Sequence, residues 1–358
     1  MRLVYETHST STDNEAEVAT GWLPGELSAT GVENARDLGK RRRDDGIDLV
    51  VSSDLHRAVQ TVDVAFAGST VPRRTDVRLR ECDYGRLNGA PVDVVHAERG
   101  QRVDEPFPGG QSYREVTAGV RELLGELRDE LPAGRVLLVG HAATRFALDH
   151  LLTGRPLETA LDAPFSWQAG WEYVVGEQLP QVDLLDGPAA CAHLAELTDV
   201  YRAAFTAPGY DEDEEAITRF RDSQLPTHAG RSGFRLVTVR DGDALLGFAY
   251  GYTGEHGQWW TDQVIAAVPG DLANTWLGGH FEIVELAVVP AAQGRGFGAA
   301  LVESLLLGLP HERALLTTYV DDRPAPRLYR RLGWTRLAEG VFDGSNLWGR
   351  ELQRAPGA

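Results

Sequence analysis

The chain has only two cysteines, Cys82 and Cys191, too few for a disulfide framework and not in any zinc-ligand spacing. It has no apolar run of the length a membrane-crossing helix needs. Its first residues, Met1 to His8, turn polar before a signal-peptide core can form. Positive charge is scarce: 35 Lys and Arg against 53 Asp and Glu leave a net charge of -18. Such a field repels phosphate backbones and anionic lipid, so nucleic-acid and membrane partners are not expected. Internal repeats and low-complexity segments are missing too. These absences predict a cytoplasmic protein, and they leave open whether it forms a homo-oligomer.

A length of 358 residues favours two compact units over one. With 42% hydrophobic and 25% charged residues, both can bury a core. In the first half, apolar strands at 2–5, 48–51, 135–139 and 171–175 alternate with helical segments at 28–40, 54–66, 112–131 and 143–152. Val116, Val120, Leu123, Leu124 and Leu127 repeat at helical spacing, and the unbroken run 135–139 suits a strand covered on both faces. The alternation predicts an α/β layer over residues 1–178. Gly, Pro and acidic residues mark 179–188 as a linker. In residues 189–358 a helix is expected near 190–205, a solvated helix start at the acidic stretch 211–215, and strands at 234–239, 244–252 and 281–289. Asp241-Gly242-Asp243 is a hairpin turn between the first two.

The most informative stretch is Phe281-Glu-Ile-Val-Glu-Leu-Ala-Val-Val-Pro290, followed by Ala291-Ala-Gln-Gly-Arg-Gly-Phe-Gly298 and an apolar helix from Ala299. A strand, a glycine-rich turn and a helix start offer backbone N–H groups and the positive end of a helix dipole to an anion. Gly294, Gly296 and Gly298 permit close approach, and Arg295 adds a cation. An ordinary loop can look the same. A dinucleotide turn formally fits Gly294-x-Gly296-x-x-Ala299, but four residues separate it from the strand. No Lys-Ser or Lys-Thr follows to make a Walker turn.

In context the segment resembles the acyl-CoA site of the GNAT superfamily, whose Gln/Arg-x-x-Gly-x-Gly/Ala signature matches Gln293-Gly-Arg-Gly-Phe-Gly298. The resemblance continues through a fifth strand at 314–320 and through Ala325-Pro-Arg-Leu-Tyr-Arg-Arg-Leu-Gly-Trp334, with Trp334 where Phe is more common. It implies a mixed-sheet α+β fold and acetyl-CoA as cosubstrate acylating an amine. The pyrophosphate would lie on Gln293, Gly294, Arg295, Gly296, Phe297, Gly298 and Ala299, and the pantetheine along Leu286, Ala287 and Val288. Tyr329 takes the general-acid role at the departing thiolate. An amine acceptor must also lose a proton, and Glu285 or Glu282 can accept it. Three positions apart, they lie on opposite faces of a regular strand unless a bulge intervenes. Glu285, adjacent to the cofactor-facing segment, is the choice. Trp259, Trp260 and Asp262 are candidates for the acceptor pocket. One family feature is altered: Asp321-Asp322-Arg323 stands where many members have Asn.

In the first half His8, Arg57, Glu81 and His141 lie in four separate segments, each beside an expected strand end or loop. Their surroundings resemble the phosphoglycerate-mutase-like histidine phosphatase superfamily across residues 1–175. The matching phrases are Thr7-His8-Ser9-x-Ser11-x-x-Asn14, Gly21-Trp22-Leu23-Pro24, Ser52-Ser53-Asp54-Leu55-x-Arg57-Ala58-x-Gln60-Thr61, Leu79-Arg80-Glu81-x-Asp83-Tyr84-Gly85, Pro108-Gly109-Gly110-Gln111-Ser112 and Val139-Gly140-His141-Ala142. The resemblance implies a three-layer α/β fold and a phosphomonoester substrate. It makes His8 the phosphoryl acceptor, Arg57 and His141 stabilisers of phosphoryl charge and Glu81 the acid for the leaving oxygen, with Asn14 and Gly21 at the phosphate and no metal. The departure is Thr7, where the family has arginine. Losing one charge-assisted phosphate contact costs about 1.5–3 kcal/mol, so a degenerate module that binds a phosphate ligand without turnover is the competing expectation.

Overall fold

The computed structural model describes residues 1–352 apart from 163–166, 209, 211, 320–323 and 343. The chain divides into two compact units, Met1–Leu179 and Pro180–Ala358.

The first unit is built on a five-stranded sheet in the order Arg73–Thr75, Leu49–Ser52, Arg135–Gly140, Arg2–Thr7, Trp171–Val174. The first four run parallel, and the last is antiparallel to its neighbour. Side-chain alternation sends Leu3, Tyr5, Val136 and Leu138 to one face, where they pack with residues of helices Tyr113–Glu130 and Ala142–Thr153. Val4, Leu137 and Val139 point to the other face, against helices Ala29–Arg42 and His56–Ala65. A strand buried on both faces must be apolar throughout, as Val136 to Val139 are. The two longest helices begin at capping serines: Ser28 accepts from Gly31 N, and Ser112 forms a capping box with Glu115.

The second unit holds a seven-stranded sheet in the order Thr335–Ala338, Ser345–Glu351, Arg313–Tyr319, His280–Val288, Ala244–Gly254, Arg235–Asp241, Gln181–Leu185. Every neighbouring pair is antiparallel except His280–Val288 with Arg313–Tyr319. Helix Phe297–Leu306 packs on the face carrying Val237, Ala249 and Leu316. Helix Leu194–Phe205 covers Leu236, Phe248 and Tyr250 on the opposite face.

Several elements differ from the sequence reading. The expected linker is ordered: Gln181–Leu185 is the edge strand of the second sheet and Gly187–Ala192 a short helix capped by Asp186. Helices Trp259–Ala267 and Gly270–Trp276 and the strands Thr335–Ala338 and Ser345–Glu351 were not anticipated. The acidic stretch starts helix Glu214–Arg219 with Asp213 as cap, while Asp211, Val320 and the altered Asp321-Asp322-Arg323 lie outside the described residues. No helix of the described residues is long and apolar enough to cross a membrane.

Candidate active sites

In the first unit, the candidate residues sit where parallel strands end. His8 follows Arg2–Thr7 and extends its ladder, its amide bonding Gly140 O at 2.9 Å. His141 follows Arg135–Gly140, and Arg57 lies in the first turn of the helix after Leu49–Ser52. These three, with Glu81, Asn14 and Gly21, line one cavity of about 430 Å3.

Arg57, 2% exposed, orders the cluster. Its Nε is 3.3 Å from His8 Nε2, and its Nη2 is 3.3 Å from His141 Nδ1 and 2.9 Å from Gly21 O. A guanidinium only donates, so both imidazole nitrogens facing it carry lone pairs. The proton of His8 is then on Nδ1, which donates to Ser9 O at 2.8 Å. That of His141 is on Nε2, which is buried without a hydrogen-bond partner. His8 Nε2 thereby carries a lone pair facing Arg57, and His141 Nε2–H is a buried donor without a partner among the described residues. The two rings are 4.9 Å apart. Burial and then the Arg57 charge push the His8 pKa down to about 3 and hold His141 well below the usual histidine range, which keeps both rings neutral at neutral pH.

Glu81 is fixed through Oε1, which accepts from Cys82 N at 2.9 Å and Ala143 N at 3.1 Å. Asn14 uses Oδ1 to accept from Ser11 N in a capping box, so its NH2 is the group left for a phosphate. Gly21 acts through its carbonyl on Arg57. Its φ is +54°, and a Cβ there would stand 1.8 Å from Asn88 Oδ1, which requires glycine. Thr7 lines the same cavity as Arg41 and Arg99, two guanidinium groups that the motifs did not single out.

In the second unit, the parallel strands His280–Val288 and Arg313–Tyr319 are in register only at Phe281↔Ala314 and Glu282↔Leu315, and then part. On its other side His280–Val288 stays paired as far as Val288. Leu286, Ala287 and Val288 therefore present one backbone edge to the gap. Gln293 Nε2 donates to Val288 O at 3.1 Å and fastens the following turn to the strand. Gly294 and Gly296 have φ of +76° and +93°. Among the described residues no hydrogen bond uses the N–H groups of 294–298, whereas Ala299 N donates to Gly296 O. The run of unbonded amides thus ends at Gly298, one residue short of the expected set, because the Ala299 amide is used within the turn. Phe297, 1% exposed, is a core anchor, and Arg295 stacks over its ring at 4.9 Å.

The central strand also carries a bulge. Tyr250 pairs with Glu285 and Gly251 with Ile283, leaving Val284 unmatched. The extra residue turns Glu282 and Glu285 to the same face, where a regular strand would separate them. Tyr252 Oη donates to Glu282 Oε1 at 3.0 Å, and Gln224 Nε2 donates to Glu285 Oε1 at 2.9 Å. His228 Nδ1 lies 3.1 Å from Tyr250 Oη. Burial raises both carboxyl groups to about 7. Tyr329, on helix Pro324–Arg331, is 5% exposed and packs 5.6 Å from Trp334. Burial and then the Glu285 charge raise its pKa, so phenol and carboxylate lie within electrostatic reach of each other. Trp259 is exposed, Trp260 is tied by Nε1 to Thr317 Oγ1 at 3.1 Å, and Asp262 accepts from Gly257 N.

Sequence reasoning missed Gln224, His228, Tyr250 and Tyr252. The two tyrosines share a strand face at i and i+2, a visible signal. Gln224 ends a π-helical turn, Phe220–Gln224, for which the sequence has no marker.

Comparison with known proteins finds a family for each of the two units. The profile of the histidine phosphatase superfamily (branch 1) matches residues 7–174, and that of the acetyltransferase (GNAT) family matches 194–334. A 2,3-bisphosphoglycerate-dependent phosphoglycerate mutase of Methylobacterium sp. (strain 4-46) is 32% identical over 174 residues, 44% of this chain and 83% of that protein. A GCN5-like protein acetyltransferase of Mycobacterium tuberculosis is 42% identical over 104 residues, 27% of this chain. The match spans half the length of that acetyltransferase, 50%. Among solved structures, a mycobacterial glucosyl-3-phosphoglycerate phosphatase is 27% identical, with a TM-score of 0.44 over 48% of this chain and 90% of that one. The chain belongs to the histidine phosphatase superfamily and carries, in its C-terminal half, a GNAT acetyltransferase domain.

Proposed function

We propose that the protein acetylates an amine at its C-terminal site and hydrolyses a phosphomonoester through a phosphohistidine at its N-terminal site, with small molecules as both substrates. The observation that carries the first activity is the parted strand pair, with Glu285 on the strand beyond the point of parting and unused amides in the turn that follows it. Those features fit acetyl-CoA: amides 294–298 and Arg295 suit the pyrophosphate, and the open edge of Leu286 to Val288 suits the pantetheine amides. Bound there, acetyl-CoA supplies an activated acyl group with a thiolate leaving group. Glu285 accepts the proton that the attacking amine loses, and Gln224 orients its carboxylate. Tyr329 returns a proton to the thiolate.

The phosphatase reading is carried by Arg57, which imposes both histidine tautomers. His8 Nε2 attacks phosphorus and the P–O ester bond breaks, while Arg57 and the His141 Nε2–H stabilise the equatorial oxygens. Glu81 protonates the leaving alcohol, then takes a proton from the water that hydrolyses phosphohistidine. The second reading, phosphate-ligand binding without turnover, is favoured by Thr7 alone.

Two measurements decide. A panel of amines with acetyl-CoA, followed by free CoA release, should reveal an acceptor; no release with any amine class would remove the transferase reading. Rapid acid-free quenching with a labelled phosphomonoester should trap an acid-labile phosphoryl group that is lost in His8→Ala. Ligand binding without that adduct favours the second reading.

A further inference from the structure

Helix Pro324–Arg331 sends Tyr329 into the hydrophobic core of the second unit. Its Leu328 lies against the start of helix Phe297–Leu306, where a Cβ on Gly298 would stand 3.3 Å from Leu328 Cδ2. That side of the helix adjoins the glycine-rich turn. Pro326 and Arg330 each lie two positions from Leu328, roughly 200° around the helix, and they border a different space. It is a cavity of about 400 Å3, lined also by Trp334 and Arg336 and, from the strand paired with theirs, by Asn346 and Trp348.

Trp334 is 3% exposed and Trp348 4%, and the Nε1–H of each is buried without a hydrogen-bond partner. Indole nitrogen only donates, so each group needs an acceptor brought to it. Asn346 Oδ1 accepts from Gly340 N at 3.3 Å, and among the described residues its NH2 has no acceptor. Arg336 is paired with Glu339 at 2.8 Å, whereas Arg330 is exposed and has no ion-pair partner among the described residues. No carboxylate of the described residues lines the cavity, in a chain where Asp and Glu outnumber Lys and Arg by 53 to 35. A buried donor without an acceptor is costly, and folded proteins leave few of them. Here two belong to one lining, together with two guanidinium groups and a side-chain amide. What this wall lacks is an oxygen acceptor with negative charge.

We infer that the cavity is a binding site for a small organic oxyanion with a flat apolar body, an aromatic carboxylate. The carboxylate supplies the acceptor that the two indole N–H groups and the Asn346 NH2 lack, with Arg330 as its counter-charge. The flat body lies against the indole rings and Pro326. A cavity of about 400 Å3 suits a molecule of one or two rings, and not a coenzyme. The site is separate from the glycine-rich turn, because Pro326 and Arg330 stand on the far side of the helix from Leu328. It depends on neither proposed activity.

The test uses the full chain, isotope-labelled at its indole nitrogens, with indole-3-acetate, benzoate, the neutral indole-3-acetamide and inorganic phosphate as probes. By calorimetry at least one of the two acids should bind about ten-fold or more tighter than the amide and than inorganic phosphate. The indole N–H resonances of Trp334 and Trp348, identified by their loss in Trp334→Phe and Trp348→Phe, should move downfield with that acid. Arg330→Gln should lower the affinity for the acid about ten-fold without changing that for the amide, and saturating coenzyme A should leave the acid bound. If Trp348→Phe does not fold, as judged by circular dichroism, Trp334→Phe and the exposed Arg330→Gln carry the test. No binding of either acid, equal binding of acid and amide, preference for inorganic phosphate, unmoved Trp334 and Trp348 resonances, or displacement of the acid by coenzyme A would each overturn the site.

Discussion

Each proposed activity can be tested at one residue, acetyl transfer at Glu285 and phosphomonoester hydrolysis at Thr7. Burial raises the Glu285 carboxyl to about 7, so below that pH it is mostly protonated and cannot accept the amine's proton. Acetyl transfer should therefore fall as pH drops below about 7, by about ten-fold per unit once protonation is complete. Glu285→Gln should remove this limb and lower kcat about 100-fold or more, while Glu282→Gln should retain it; the kcat/KM profile of the two variants from pH 5 to 9 is the check. If the limb survives in Glu285→Gln and vanishes in Glu282→Gln, the base is the neighbour that Tyr252 holds. Thr7 lines the N-terminal cavity together with Glu6 and Arg41, and Glu6 is already paired with both Arg41 and Arg42. A guanidinium introduced as Thr7→Arg is thus available to the phosphate, and about 1.5–3 kcal/mol of added contact corresponds to a 10- to 100-fold gain in kcat/KM. Phosphate release from a panel of monoesters measures it, and an unchanged or lower rate in a folded variant argues that the site is adapted to threonine. The sequence pointed to both through their neighbours, Thr7 through the Thr7-His8-Ser9 phrase and Glu285 through its place beside Leu286 to Val288. Gln224 was not legible, because its hydrogen bond to Glu285 joins elements that meet only in the fold.

Strands and helices carrying local periodicity, such as Tyr113–Glu130 and Arg135–Gly140, were readable within a few residues of their ends. The features that make the C-terminal site were not: the parting of two strands and the bulge at Val284 are relations between strands, and pairing is not written in either strand alone. Helices Trp259–Ala267 and Gly270–Trp276 are short pieces held by packing on Leu315 and Leu347, so their own sequence signal is weak. The glycine-rich turn is the exception, since its chemistry is local. Gly296 stands at φ +93°, a conformation that a β-branched side chain adopts only with strain, and its amide belongs to the unused set. Gly296→Val should weaken acetyl-CoA binding ten-fold or more by calorimetry while leaving phosphomonoester binding as in wild type. Unchanged acetyl-CoA affinity in a folded Gly296→Val protein would place the pyrophosphate elsewhere.

At the level of the whole molecule, the division at Leu179 and Pro180 changes what a fragment must contain. Composition marked 179–188 as a linker because the stretch holds Pro180, Gly187 and Pro188 with the acidic Asp183 and Asp186. Yet Val182 and Leu185 pack on the hydrophobic clusters of the second unit, and Gln181–Leu185 pairs along Arg235–Asp241 through five residues. A fragment beginning at 180 keeps this strand, whereas one beginning at 189 strips it and leaves Arg235–Asp241 as a bare edge open to pairing with other chains. Partial burial of the two aliphatic side chains is worth about 2–5 kcal/mol, which in a unit of this size lowers Tm by roughly 5–15 °C. Calorimetric melting and size-exclusion chromatography of fragments 180–358 and 189–358 should show the first as a cooperatively folded species and the second as less stable and prone to self-association. Equal Tm and equal elution of the two fragments would return residues 181–185 to the role of a linker.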